Sequence, residues 1–246
     1  SVYMGNSTAV DRLLVCLLAR GHILVEDVPG VGKTVLASSL ARSLRGTFAR
    51  IQCTPDLLPS DITGVTIFDR ERQEFDFKPG PVFNNIIVAD EINRTTPRTQ
   101  SALLEAMNEE SVSIDGTTHA LPQPFIVIAT QNPYEFEGTY PLPENQLDRF
   151  LMRFSLGYPA PSDEARIVLN QPARSQLKEL KAVIDATEII ELQQLVDAVR
   201  IDQSLVDYIL QLVTVTREHD DLLIGISPRG SIALSQAARA TAVLAD

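Results

Sequence analysis

The sequence predicts an α/β fold. A parallel sheet flanked by helices is expected over residues 1–157, and a small all-α domain over residues 163–246. Three observations predict it. Short, continuous apolar runs recur in the first part, as strands buried on both faces require. One of them, Ile23-Leu24-Val25-Glu26, feeds a glycine-bearing loop that ends in Gly32-Lys33-Thr34 and opens at once into a helical pattern. After Gly157-Tyr158-Pro159-Ala160-Pro161-Ser162 no strand run follows, and the Pro/Gly/Ser content marks a linker.

The first element pair is the loop and its helix. Leu36, Leu40 and Leu44 lie four apart, one helical face behind the loop. A strand, a glycine loop and a helix start form a phosphate cradle. Backbone N–H groups point at the anion, Lys33 adds charge, and the Thr34 hydroxyl can ligate magnesium. The general pattern G-x-x-x-x-G-K-[ST] asks for glycine where this chain has Asp27, but Gly30 and Gly32 remain. A Gly-Lys-Thr tripeptide by itself suits an ordinary helix-opening turn. The strand before it and the Pro29-Gly30 turn favour the cradle.

The next strand, Asn85-Ile86-Ile87-Val88-Ala89-Asp90-Glu91, ends in two carboxylates on the ligand side of a parallel sheet. Asp90 suits magnesium held through a water, and Glu91 suits a water-polarising base. A third run, Phe125-Ile126-Val127-Ile128-Ala129-Thr130, ends in Gln131-Asn132-Pro133, which puts an amide beside Asp90. Residues 143–150 read as a short helix with Pro143 near its first turn and Arg149 at its far end.

Two excursions read as hairpins. Residues 64–77 carry two β-prone arms around a charged tip at 69–74. Residues 111–121 carry Asp115-Gly116 between two arms, a strong short-range hairpin signal. Phe75, Phe77 and Phe83 are expected to pack. In the last third, residues 188–200 and 204–218 each present one apolar helical face, with Asp202 or Gln203 opening the second. Ser227 suits the cap of a final helix, with Pro228 at its first position.

Composition sets limits. With 246 residues the chain can bury a large core, as one large domain or two modest ones. Cys16 and Cys53 make no metal spacing and no disulfide framework, and His22, His119 and His219 are scattered. There is no signal-peptide pattern and no membrane-length apolar run, although Ser1 reads as a trimmed end. A reducing, cytoplasmic setting is the expectation. The formal net charge of −11 argues against strong non-specific nucleic-acid binding.

Several segments together resemble one family, the MoxR branch of the AAA+ ATPases. They are Val28-Pro29-Gly30-Val31-Gly32-Lys33-Thr34, Val88-Ala89-Asp90-Glu91-Ile92-Asn93-Arg94, Thr99-Gln100-Ser101-Ala102-Leu103-Leu104-Glu105-Ala106-Met107, Ala129-Thr130-Gln131-Asn132-Pro133 and residues 137–150. The resemblance runs over nearly the whole chain. It implies an AAA+ P-loop core followed by a helical lid that continues past Asp246. It implies ATP and Mg2+ as cofactors. Pro29, Gly30, Val31, Gly32, Lys33, Thr34, Val35 and Asp90 would bind the nucleotide, and Thr34 and Asp90 the metal. Glu91, Asn132, Arg149 and Arg229 would be catalytic, as Walker B base, sensor 1, arginine finger and sensor 2. It leaves open whether Arg153 shares the finger role and whether Arg229 acts within its own subunit or across an interface.

The resemblance further implies a hexameric homo-oligomeric ring, hairpins facing its pore or axial surface, and ATP-driven remodelling or maturation of a protein client. Partners with von Willebrand A domains are among those implied. Three competitors are weaker. A small-molecule kinase gives no reason for Asp90, Glu91, Asn132 and Arg149 together. A DNA-acting helicase or loader ring needs basic hairpin tips. An assembly scaffold with little turnover gives no reason for Glu91.

Overall fold

The computed structural model describes residues 7–28, 30–134, 137–170, 177 and 179–245. Helix α1 (Ser7–Leu18) leads into β1 (Ile23–Glu26), α2 (Lys33–Ser43) and β2 (Phe48–Gln52). A short α3 (Pro59–Thr63) opens the first hairpin, β3 (Gly64–Asp69) and β4 (Glu74–Pro79). Then come β5 (Ile86–Asp90), a 3-10 turn (Ile92–Arg94) and α4 (Pro97–Glu109). The second hairpin is β6 (Ser111–Ile114) and β7 (Thr117–Ala120), followed by β8 (Ile126–Gln131), α5 (Glu144–Leu147) and β9 (Met152–Phe154). Among the described residues the chain then continues with α6 (Pro161–Asn170), α7 (Ala186–Ala198), α8 (Gln203–Glu218) and α9 (Pro228–Ala245).

The five-stranded sheet runs β2-β5-β8-β1-β9, and every pair in it is parallel. Its two faces follow from strand alternation. Leu24, Ile51, Ile87, Ala89, Val127 and Ala129 point to one side, where α4 packs through Leu103, Leu104 and Met107. Ile23, Val25, Ile86, Val88, Ile126 and Ile128 point to the other, against Leu13 and Leu17 of α1 and Leu36 and Leu40 of α2. From β1 the chain passes to β2 beyond β8 and β5, while β9 lies on the opposite flank. The strand order therefore reverses at β1, and a ligand crevice is expected outside its C-terminal end.

Helix α1 is apolar on two sides. Val15 and Leu18 face away from the sheet, toward Val196 of α7 and Ala240 of α9. Gln193 donates to the Leu17 carbonyl at 2.8 Å, and Arg20 pairs with Asp197 at 2.6 Å. Helices α7 and α9 thus dock on the core through α1. The starts of α8 and α9 are capped as the sequence suggests, and that of α7 has a cap the sequence reading did not name. Asp185 and Glu188 form a capping box on α7, Asp202 accepts from Ser204 N, and Ser227 Oγ accepts from Gly230 N at 3.0 Å. Among the described residues no strand follows β9, and no helix is long and apolar enough to cross a membrane.

Both hairpins form. Asp115 (φ 50°) and Gly116 (φ 79°) both have positive φ, as the two-residue turn requires. The first hairpin is longer than the sequence suggests, because β4 continues to Pro79. Its base is a close backbone crossing. A Cβ on Gly80 would lie 2.3 Å from the Ile62 carbonyl oxygen, and one on Gly64 would lie 2.3 Å from that of Lys78. Phe77 stacks on His119 of the second hairpin, with ring centroids 4.1 Å apart, and Phe83 meets Phe77 edge-on. The expectation that Phe75 packs is corrected. It is 74% exposed and touches only the half-exposed Phe68 among the described rings, because its register partner lies at the solvated end of the ladder.

Candidate functional site

The cradle forms at the C-terminal end of β1, where the strand order reverses. Gly32 (φ 94°, ψ 15°) caps α2 in a left-handed conformation open to glycine, and Gly30 (φ 90°) shares it. Lys33 and Thr34 are the first residues of α2, so their N–H groups have no helical acceptor and point outward. Gly30, Gly32, Lys33, Thr34 and Val35 line a cavity of about 320 Å³ with Asp90, Glu91 and Asn132. Val31 instead packs against the core beneath the loop. Pro29 lies outside the described residues.

Asp90 is the last residue of β5. Its Oδ1 accepts from Thr130 Oγ1 at 3.2 Å, and its Oδ2 lies 3.5 Å from Thr34 Oγ1. Consecutive side chains of a strand point apart, so an extended Glu91 would face away from Asp90. Glu91 is left-handed instead (φ 58°, ψ 51°), held by a bond from its N–H to Thr130 Oγ1 at 3.0 Å, and both carboxylates reach one cavity. A left-handed non-glycine residue costs about 1 kcal/mol or more and is typical of active sites. Glu91 also pairs with Arg94 at 3.2 Å.

Lys33 is half-buried. Burial lowers its pKa below the ordinary lysine value, while Asp27, Asp90 and Glu91 pull it back up. Its Nζ rests on the Asp27 carbonyl oxygen at 2.7 Å. The Asp27 carboxylate accepts from Val28 N at 2.9 Å and from Gly157 N at 2.8 Å, tying the loop to the linker after β9. Beneath the site, burial and then the Asp90 and Glu91 charges push the Cys53 thiol up to about 12, which keeps it an inert, neutral packing group. Asn132 Oδ1 accepts from Tyr134 N at 3.1 Å, while the Gln131 amide is spent on Glu26.

Three cavity residues were not singled out from the sequence: Arg50, Gln52 and Thr130. Arg50 Nε donates to Asp90 Oδ2 at 2.6 Å, Arg50 Nη2 to Gln52 Oε1 at 3.2 Å, and Gln52 Nε2 to Glu91 Oε2 at 3.4 Å. Their signal is faint. The i, i+2 spacing of Arg50 and Gln52 puts two polar side chains on one face of an otherwise unremarkable strand.

Two expected residues lie elsewhere. The short helix ends at Leu147, so Arg149 sits in the turn that lets Phe150 enter the core, not at a helix end. That turn precedes β9, whose first residue, Met152, pairs with Ile23 at the start of β1, whereas the cradle follows the end of β1. Arg149 is therefore at the opposite rim of the sheet from its own cradle, and its guanidinium has no hydrogen bond or ion pair among the described residues. Arg229, in the first turn of α9, donates to Asn108 Oδ1 at 3.2 Å, next to Met107, whose carbonyl meets His22 ahead of β1. Ser227 donates to Asp148, so Arg229 and Arg149 share that remote rim. Arg153 is held by Glu26 within its own subunit.

The donor set fits magnesium. Thr34 and Asp90 supply oxygens, and a small hard cation bound with phosphates needs only one or two protein ligands. Among the described residues no group of three or more His, Cys, Asp or Glu side chains forms a metal cage.

Comparison with known proteins shows the family and the fold. Residues 22–152 match the ATPase family associated with various cellular activities (AAA), and residues 214–246 match the AAA lid domain. The chain is 54% identical over 243 residues to YeaC of Bacillus subtilis, covering 99% of this chain and 76% of YeaC. It is 43% identical over 252 residues to the chaperone MoxR1 of Mycobacterium tuberculosis, covering 99% of this chain and 66% of MoxR1. A crystal structure from Cytophaga hutchinsonii superposes with a TM-score of 0.90 at 40% identity, over 99% of this chain and 77% of that one.

Proposed function

The chain belongs to the MoxR family of AAA+ ATPases, and from that premise we propose that it hydrolyses ATP at the interfaces of a homo-oligomeric ring, hexameric by resemblance, to remodel a protein client. One observation carries this reading. Lys33, Thr34, Asp90, Glu91 and Asn132 converge on one cavity, while Arg149 and Arg229 lie together at the far rim of the sheet. A complete site then needs the arginines of a neighbour.

Membership implies nucleotide binding, and the residues divide the work. Lys33 exchanges the Asp27 carbonyl for the β/γ-phosphates, and the first N–H groups of α2 cradle them. Thr34 and Asp90 would hold Mg2+, which would neutralise phosphate charge when bound. Glu91, turned toward the same space, orients and deprotonates the attacking water. Asn132 keeps its amide N–H groups for the terminal phosphate or that water. Arg149 crosses the interface to stabilise charge on the transferring phosphoryl, worth about 10³ to 10⁵ in rate in other nucleotide hydrolases. Arg229 acts beside it in trans. Arg149 is preferred to Arg153 for this role, since Arg153 pairs with Glu26 of its own subunit.

The client is a protein, in keeping with the chaperone name of the Mycobacterium relative and with the exposed Phe68 and Phe75 on the first hairpin. A von Willebrand A domain partner is the class that the family resemblance implies. The net charge of −11 disfavours nucleic acid.

Subunit mixing tests the trans site. Glu91→Gln and Arg149→Ala should each abolish turnover, and mixed rings should regain part of it, because some interfaces join an intact Glu91 to an intact Arg149. Confirmed mixed rings without any recovery would remove Arg149 from the neighbouring site.

A further inference from the structure

Asp90 is 10% exposed and still has a full counter-charge, and that charge is not the cradle lysine. Lys33 is diverted to the Asp27 carbonyl. Arg50 supplies the partner, with Nε 2.6 Å from Asp90 Oδ2. This is the same oxygen that Thr34 Oγ1 faces at 3.5 Å. The guanidinium thus takes the acceptor atom that the Thr34–Asp90 pair would turn toward a metal.

We propose that Arg50 is a counter-ion of Asp90 that competes with magnesium for this carboxylate and yields to it when the metal–nucleotide pair enters. This rests on the nucleotide reading above and adds a residue that sets the metal requirement of the cradle. The reasoning is electrostatic. A nearly buried carboxylate without a partner is costly, so Asp90 needs a cation beside it whether or not a metal is bound. A guanidinium and a divalent cation that share one carboxylate repel each other, so each weakens the hold of the other. Arg50 is suited to leave. It projects from the edge strand β2, its side chain is 51% exposed, and its other end is held only by the neutral Gln52. It is a positioning residue: it offsets the charge of Asp90 and holds that side chain aimed into the cavity until the metal arrives.

The exchange predicts competition, which a residue that simply helped to hold nucleotide would not show. The Mg2+ dependence of fluorescent ADP retention is titrated for the wild type, Arg50→Gln and Arg50→Lys, with thermal melting in EDTA and in Mg2+ alone. Arg50→Gln should lower the half-saturating Mg2+ concentration about tenfold, the scale of one partly exposed charge-assisted pair. It should melt earlier than wild type in EDTA and recover with Mg2+ alone, whereas wild type should hardly respond to Mg2+ alone. Arg50→Lys, which keeps a charge at Asp90, should stay near wild type.

If Arg50→Gln fails to fold without Mg2+, the double variant Arg50→Gln/Asp90→Asn decides. Recovery of folding supports the orphaned-carboxylate argument, and failure overturns it. An unchanged or higher Mg2+ midpoint in Arg50→Gln overturns the exchange while leaving the ATPase reading intact. Absence of magnesium-dependent nucleotide binding in the wild type would remove both.

Discussion

Acid should weaken this fold through a single buried ring. His22 lies just ahead of β1, with Nε2 donating to the Met107 carbonyl at 2.9 Å and Nδ1 accepting from Val127 N at 3.0 Å. A proton on Nδ1 would set donor against donor and bury a charge. Burial lowers the pKa of His22 from 6.5 to about 4, with the Met107 bond opposing the shift. The unfolded chain thus binds the proton more readily. Stability from the neutral ring is complete above the unfolded value of 6.5 and is lost as pH falls from there toward about 4. Linkage gives a loss of about 2 kcal/mol by pH 5 and about 3 kcal/mol when both states are protonated. His22→Gln removes the titration and keeps an amide donor near the Nε2 position. Urea unfolding of both proteins between pH 7.5 and pH 5 isolates the effect in the difference of the two curves, since every other group is shared. The gap should close by about 2 kcal/mol toward pH 5. Parallel curves would refute the assignment of a neutral, doubly bonded His22.

Other outcomes follow from the site and its surroundings. Glu91→Gln should retain ATP binding in an equilibrium assay while turnover falls by roughly 10² or more, the usual scale of a general base; lost binding would place Glu91 on the nucleotide itself. Sedimentation with a slowly hydrolysed ATP analogue should show a ring, and a strict monomer at tens of micromolar would count against a shared site. Phe77→Ala should speed hydrogen exchange at residues 111–120, because the second hairpin loses the ring on which His119 stacks. Exchange confined to the first hairpin would uncouple the two.

Much of the cradle was legible because local chemistry decides it. Gly32-Lys33-Thr34 after a strand, Asp90 at the end of an apolar run, and Asp115-Gly116 between two arms are contiguous signals, and each forms as expected. What was hidden depends on long-range neighbours. Arg50 gains its meaning from Asp90, its register partner's neighbour two positions on, and no pattern within β2 announces it. The missing glycine at Asp27 read as a departure, yet its carboxylate is bound by Gly157, far along the chain. The placing of Arg149 misled for a different reason. Pro143 near a first turn suggested a helix running to 150, but burial of Phe150 ends it after one turn. Phe75 misled because alternation gives a side but not what covers it.

The crossing at the root of the first hairpin has a consequence for how this architecture can change. Gly64 and Gly80 bring the incoming and outgoing backbones into contact, so the whole excursion leaves and re-enters the core at one point. Closing a loop whose ends already meet costs little more as it lengthens, because the entropic cost grows only with the logarithm of its length. The arm is therefore modular: it can be lengthened, shortened or exchanged for another of different chemistry while the sheet below is unchanged. Diversification can act on that arm without altering the cradle at the end of β1.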